Sequence, residues 1–279
     1  MQYKKEKRDR KDKCNICGRT LDLTWDHVPP KFANNSTAKN YDTVFGLSRT
    51  SEKIMPLTAQ NGIKYRSICA DCNNRLLGAE TDPSYKELTN TLLSSLSGEQ
   101  RLPQKFAVEV SINRLSRSIV GHFLSAKNFY DDQCTVDIAL REYFMNLESL
   151  PPRDMELLYF LYPYTIIQIV RDVVPVNACQ NRNLFPDGMS SCMYSFPVAF
   201  LLTDSYQCLG LHNLFEYCTT RIDDRVEIPF DSNSLFYPET DMKIPRHPLW
   251  PCNIGNDIHS AQGVFGGMSV KDGIIAKNK

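Results

Sequence analysis

The chain of 279 residues is long enough for one large or two ordinary domains, and its 42% hydrophobic content supplies a real core, which excludes a disordered or fibrous protein. Formal charge sums to zero but is laid out unevenly: residues 1–80 carry 15 Lys and Arg against 9 Asp and Glu, a basic end suited to a polyanionic ligand. The longest nearly uncharged apolar stretch, residues 157–170, falls short of the ~18 residues of a bilayer span and contains Pro163, so no membrane segment is expected.

Residues 1–13 are dense in Lys and Arg and lack the apolar centre of a secretory signal; they read as a charged, disordered leader, and the cytoplasm is the expected location. Leu21, Leu23 and Trp25 alternate with polar neighbours in a strand that ends at Asp26-His27, where Pro29-Pro30 forbids continuation. Residues 32–62 are polar and rich in turn-forming Asn, which predicts a long loop or insertion. A second short strand is predicted over 63–68, and a helix begins after Cys72. Asp82 is a cap candidate for a helix over 85–96, and the spacing predicts further helices over 112–125 and 136–147. Segments 164–174, 193–202, 209–219 and 225–230 are rich in β-branched and aromatic residues between breakers, which predicts an antiparallel sheet.

Four of the ten cysteines form two Cys-x-x-Cys pairs, Cys14/Cys17 and Cys69/Cys72. Two such knuckles complete a tetrahedral site for Zn²⁺, and four thiolates leave no open position, so this ion would be structural and not the catalyst. The other cysteines, at 134, 179, 192, 208, 218 and 252, have no ligand spacing and read as core thiols in a reducing compartment.

The order Cys14-x-x-Cys17, then Asp26-His27-Val28-Pro29-Pro30-Lys31, then Cys69-x-x-Cys72-Asn73-Asn74 resembles the HNH endonuclease family in its zinc-containing form, over residues 14–80. The resemblance implies a ββα-metal unit in which Asp26 is a metal ligand, His27 the general base and Asn73 the second ligand; Asn74 is the alternative ligand, with Asn73 then a helix cap. The physical logic is independent of the name. Phosphodiester hydrolysis needs a base for water and a cation to offset growing charge, and a carboxylate with an amide oxygen suits Mg²⁺ or Mn²⁺. A later metal-binding histidine, frequent in the family, is missing: the next one, His122, lies in an apolar helical stripe and reads as a satisfied core residue. Lys31, Lys64, Arg66 and Arg75 are candidate phosphate contacts, and Glu80 or Asp82 a weak source of another oxygen.

The expected architecture is α+β: a ββα-metal HNH module with a Cys₄ zinc site over 14–98, then an α+β domain over 99–279 in which helices precede antiparallel strands. The expected activity is metal-dependent hydrolysis of DNA, and by analogy with the family a restriction or antiphage effector. The acidic C-terminal domain carries no catalytic motif and reads as a sensor or an oligomerisation domain, with a homo-oligomer, a regulatory protein or a nucleotide as partner. The rival reading is a non-catalytic Cys₄ zinc module that binds nucleic acid or a protein.

Overall fold

A computed structural model describes residues 8–37, 39–41, 57–97, 103–162, 167–173, 190–204 and 211–231. The first strands form an antiparallel sheet in the order β1 (Lys11–Lys13), β2 (Thr20–His27), β5 (Lys64–Cys69). Between them, β3 (Lys39–Tyr41) pairs with β4 (Leu57–Ala59), so the expected insertion carries a small hairpin of its own. The leader is corrected at its end: residues 8–13 are ordered, because Arg8 buries its side chain and bridges Asp12 at 2.6 Å and Asn15 at 2.6 Å. Residues 1–7 lie outside the described residues.

Inward-outward alternation in β2 changes phase at an irregularity between Thr24 and Trp25. Before it Leu23 is buried; after it Asp26 is buried and Trp25 is 48% exposed. On β5 the same break leaves Ser67 and Ile68 both buried in succession, while Lys64 and Arg66 project to the other side. A bulge re-aims side chains in this way by inserting one residue in one strand.

The chain leaves Cys69 into α1 (Asp71–Thr81), wound as a π-helix, which runs without a break into α2 (Asp82–Ser97). Asp82 is therefore not a cap: its backbone is helical and its carboxylate points to α3. β6 (Lys105–Ser111) follows, then α3 (Ile112–Ser125) and α4 (Thr135–Met145). The sequence predicts α3 as amphipathic, yet it is the most enclosed helix, with all but Arg114 buried. Its polar side is buried because each polar group finds a partner: Ser118 donates to Asp82 at 2.7 Å, and Ser116 meets the Tyr143 hydroxyl at 2.6 Å. Ile112, Leu115, Ile119 and Phe123 are fully buried and contribute about 1.5–3 kcal/mol each.

The expected antiparallel sheet has five strands in the order β11 (His212–Asn213), β7 (Glu156–Leu161), β10 (Val198–Thr203), β9 (Ser190–Ser195), β8 (Gln168–Val173). Segment 193–202 is a hairpin rather than one strand, since Phe196-Pro197 turns the chain between β9 and β10. Among the described residues of segment 209–219 are the short β11 and a 3₁₀ turn at Leu214–Tyr217. β12 (Arg225–Asp231) pairs instead with β6, a strand absent from the sequence-based expectation. No described helix is long and apolar enough to cross a membrane.

One core cluster runs from Cys14 through Leu77, Phe123 and Phe200 to Phe230, so buried contacts continue across the expected boundary near residue 98. Phe32, Tyr85 and Phe200 stack edge-on at 5.2 and 5.5 Å, joining the N-terminal loop, α2 and the large sheet.

Candidate functional site

The two Cys-x-x-Cys knuckles meet at the end of the β2–β5 pair. Ligand atoms of Cys14, Cys17, Cys69 and Cys72 all lie within 4.8 Å of one another, and the Cys17 and Cys69 sulfurs are 3.9 Å apart. A tetrahedron with Zn–S bonds of about 2.3 Å sets sulfurs about 3.8 Å apart, so this cluster could hold a metal ion such as zinc. Crowding makes the sulfurs unequal: hydrogen bonding from Cys72 and nearby amides, against burial, holds the Cys14 thiol down to about 5, while Cys72 is pushed far up. A divalent cation would remove that conflict, since thiolates and not thiols are its ligands. Asn15, between the first two cysteines, fastens the knuckle to the end of α3 by donating to Leu124 and Lys127 carbonyls, each at 3.0 Å. Cys192 is buried, and Cys134 and Cys218 are half-buried; Cys179, Cys208 and Cys252 lie outside the described residues.

Asp26 and His27 end β2 and point to opposite faces. His27 is half-buried, and its Nε2 lies 2.9 Å from the Asn61 carbonyl oxygen. A carbonyl only accepts, so Nε2 carries the proton and Nδ1 keeps the lone pair. Burial lowers the His27 pKa below its usual value, Lys31 and Lys64 lower it further, and the Asn61 carbonyl and Asp26 oppose them without prevailing. The imidazole is therefore neutral at pH 7, in one tautomer.

Two residues beyond Asn61 the chain is pinned at Ile63 by Asn35, a residue that sequence reasoning treated only as a turn-former. Its buried amide donates to the carbonyls of Pro29 (2.6 Å) and Ile63 (2.8 Å) and accepts from the Ile63 amide at 2.7 Å. Gly62 makes this possible: its φ is +79°, and a Cβ there would lie 2.1 Å from the Asn35 carbonyl oxygen.

Asp26 faces the helices and is 6% exposed. One oxygen meets His122 Nδ1 at 3.1 Å; on the other side, His122 Nε2 meets Asp82 at 3.0 Å. Burial alone would lower the His122 pKa, but the two carboxylates push it up to about 10, so it is an imidazolium between two anions. The core reading of His122 is thus right as to burial but missed its charge. Its carboxylate partners are 96 and 40 residues away in the chain, and no local pattern announces them.

Asn73 is half-buried in α1 and donates through Nδ2 to Thr24 Oγ1 and the Trp25 carbonyl, each at 3.0 Å. Thr24 spends its own proton on the Ile68 carbonyl, and the Trp25 carbonyl only accepts, so both contacts require the amide nitrogen. The Asn73 side-chain oxygen is then the end of the amide not spent on β2. Arg75, expected to meet phosphate, is instead engaged by Asp71 at 2.7 Å and Glu80 at 2.8 Å, which also occupies Glu80. Lys64 and Arg66 lie over the Trp25 ring at 5.5 and 4.7 Å, and Lys31 is exposed.

No protein-family model matches this chain, and no curated protein or solved structure matches it significantly.

Proposed function

We propose that the protein is a metal-dependent endonuclease of the HNH type that hydrolyses DNA, with β2, β5 and α1 as its ββα-metal unit and zinc at the four cysteines as its staple. The observation that carries this reading is His27: neutral, with one nitrogen anchored on a backbone carbonyl and the other free, on the open face of the hairpin beside Lys31 and Lys64. A general base for water needs those properties.

The donor set fits a hard cation poorly, because Asp26 is enclosed with His122 on the face opposite His27; the groups that would hold Mg²⁺ or Mn²⁺ are the second Asp26 oxygen and the Asn73 side-chain oxygen. When bound, such an ion would offset charge on the phosphate and leaving oxygen. The chain's own part is to take a proton from water at His27 Nδ1, with the Asn61 carbonyl fixing the ring and Lys31 and Lys64 drawing the phosphate near. A role in defence against foreign DNA, with the acidic C-terminal part as sensor or oligomerisation surface, belongs to the same proposal.

The test is cutting of supercoiled plasmid and of circular single-stranded DNA by purified full-length protein with Mg²⁺ or Mn²⁺. His27→Ala is expected to slow cutting by about 10²–10⁴-fold with zinc content and thermal stability unchanged. Undiminished cutting by that variant would remove His27 as base. Wild-type protein that binds DNA under these conditions but never cuts it would favour the non-catalytic zinc module.

A further inference from the structure

Beyond the bulge, every second side chain of the hairpin shares its open face. Trp25 lies opposite Arg66 and His27 opposite Lys64, so four side chains form a square: an indole and an imidazole on β2, a guanidinium and an ammonium on β5. Trp25 is the largest exposed aromatic among the described residues, at 48%. Arg66 and Lys64 both rest over its ring, at 4.7 and 5.5 Å. Unlike Arg75, which is tied to Asp71 and Glu80, neither is drawn to a carboxylate among the described residues.

The bulge is what builds the square. Regular pairing in place of the bulge would set Trp25 opposite Ser67 and Arg66 opposite Asp26, on the inward face and out of step with Trp25. The arrangement instead presents a half-exposed indole with two cations lying over its ring, and an incoming strand would draw those cations to its phosphates and take their place on the ring. Aromatic rings stack on the π-face of any unpaired base, while basic groups at the rim follow the strand's phosphates. A base inside a duplex is covered by its neighbours and cannot offer that face. Two residues along a strand span about 6.6 Å, so a base stacked on Trp25 leaves its neighbouring phosphate within reach of the His27 edge.

We propose that this square is a binding platform for single-stranded DNA, in which Trp25 stacks on an unpaired base and Arg66 and Lys64 hold the flanking phosphates, delivering the adjoining phosphodiester to His27. The delivery step rests on the nuclease reading; the binding step does not. The site therefore selects single strands or duplexes with an extruded base, and an intact duplex is a poor ligand.

The chain has two tryptophans, so full-length protein carrying Trp250→Phe makes Trp25 the sole indole reporter, and His27→Ala in the same chain prevents cutting. Titration with a short oligothymidylate is expected to quench Trp25 emission saturably, whereas a blunt duplex of equal length leaves it unchanged. Anisotropy of a labelled strand is expected to show binding weakened roughly tenfold or more by Trp25→Ala, with Trp25→Tyr retaining most of it. Arg66→Ala and Lys64→Ala should each lower the slope of log affinity against log salt by about 0.7. Equal binding by Trp25→Ala, duplex bound as tightly as the single strand, or tighter capture of an RNA strand would overturn the proposal. The two readings separate: cutting indifferent to Trp25→Ala removes the platform alone, and Trp25-dependent binding by a wild-type protein that never cuts removes the nuclease alone.

Discussion

At the residue scale the decisive arrangement is the row Asp26, His122, Asp82, because it converts a strand-end carboxylate into part of the core. A buried imidazolium between two carboxylates holds only while all three are present; removing the middle leaves two anions enclosed without a cation. His122→Leu is expected to cost about 3–5 kcal/mol, measured by urea unfolding, and a variant as stable as wild type would show that the row carries no net charge interaction. Asp26-His27 was legible in the sequence as a pair at a strand end. What each of the two faces was not, because facing depends on a bulge that only pairing with β5 creates.

At the element scale, α3 is the axle of the molecule, and its packing has no slack at Gly121. A Cβ there would come within 2.5 Å of Leu77 in α1 and 2.7 Å of Phe144 in α4. Gly121→Ala is therefore expected to destabilise by about 1–3 kcal/mol through overpacking, read as a lowered Tm. Beyond the end of α3, Lys127 contacts Asp137 at 2.6 Å and also pairs with Asp172, while Arg171 reaches Asp137 at 2.7 Å and Asp172 at 2.9 Å. Burial would raise the Asp172 pKa, but Arg171 and Lys127 prevail and hold it below the usual carboxylate value. A depressed carboxylate contributes stability that is complete above its unfolded pKa of about 3.8 and is lost as pH falls through the lower folded value. Acid titration should thus show this contribution fading below about pH 4, and Asp172→Asn should flatten that limb; an unchanged limb would assign acid unfolding to other groups.

At the scale of the whole molecule, the cysteine knuckles and the large sheet share one core cluster. Two consequences can be measured. Residues 1–98 expressed alone should lack the dispersed amide spectrum of a folded domain, because α3 supplies His122 and the anchors of Asn15; a folded fragment would restore the two-domain division expected from composition. Cys69→Ser should lose bound zinc and, with it, cooperative unfolding of the entire chain rather than of the N-terminal part only. A zinc-free variant that melted like wild type would contradict the structural role of the metal.

The sequence by itself determined the local quantities: the two cysteine pairs, the strand ending at Asp26-His27, the helices over 85–96, 112–125 and 136–147, and the α+β character. Each follows from spacing or periodicity among near neighbours, where backbone geometry alone relates the residues. Only the tertiary structure decided that His122 and Asp82 enclose Asp26, that the Asn61 carbonyl holds His27, that β6 pairs with β12, and that Trp25 lies half-exposed under Arg66. Those contacts join residues tens of positions apart, and they arise because buried polar groups must find partners wherever the packed chain brings them. The candidate base was therefore readable from the chain, and the surroundings that set its tautomer, its charge and the face it offers were not.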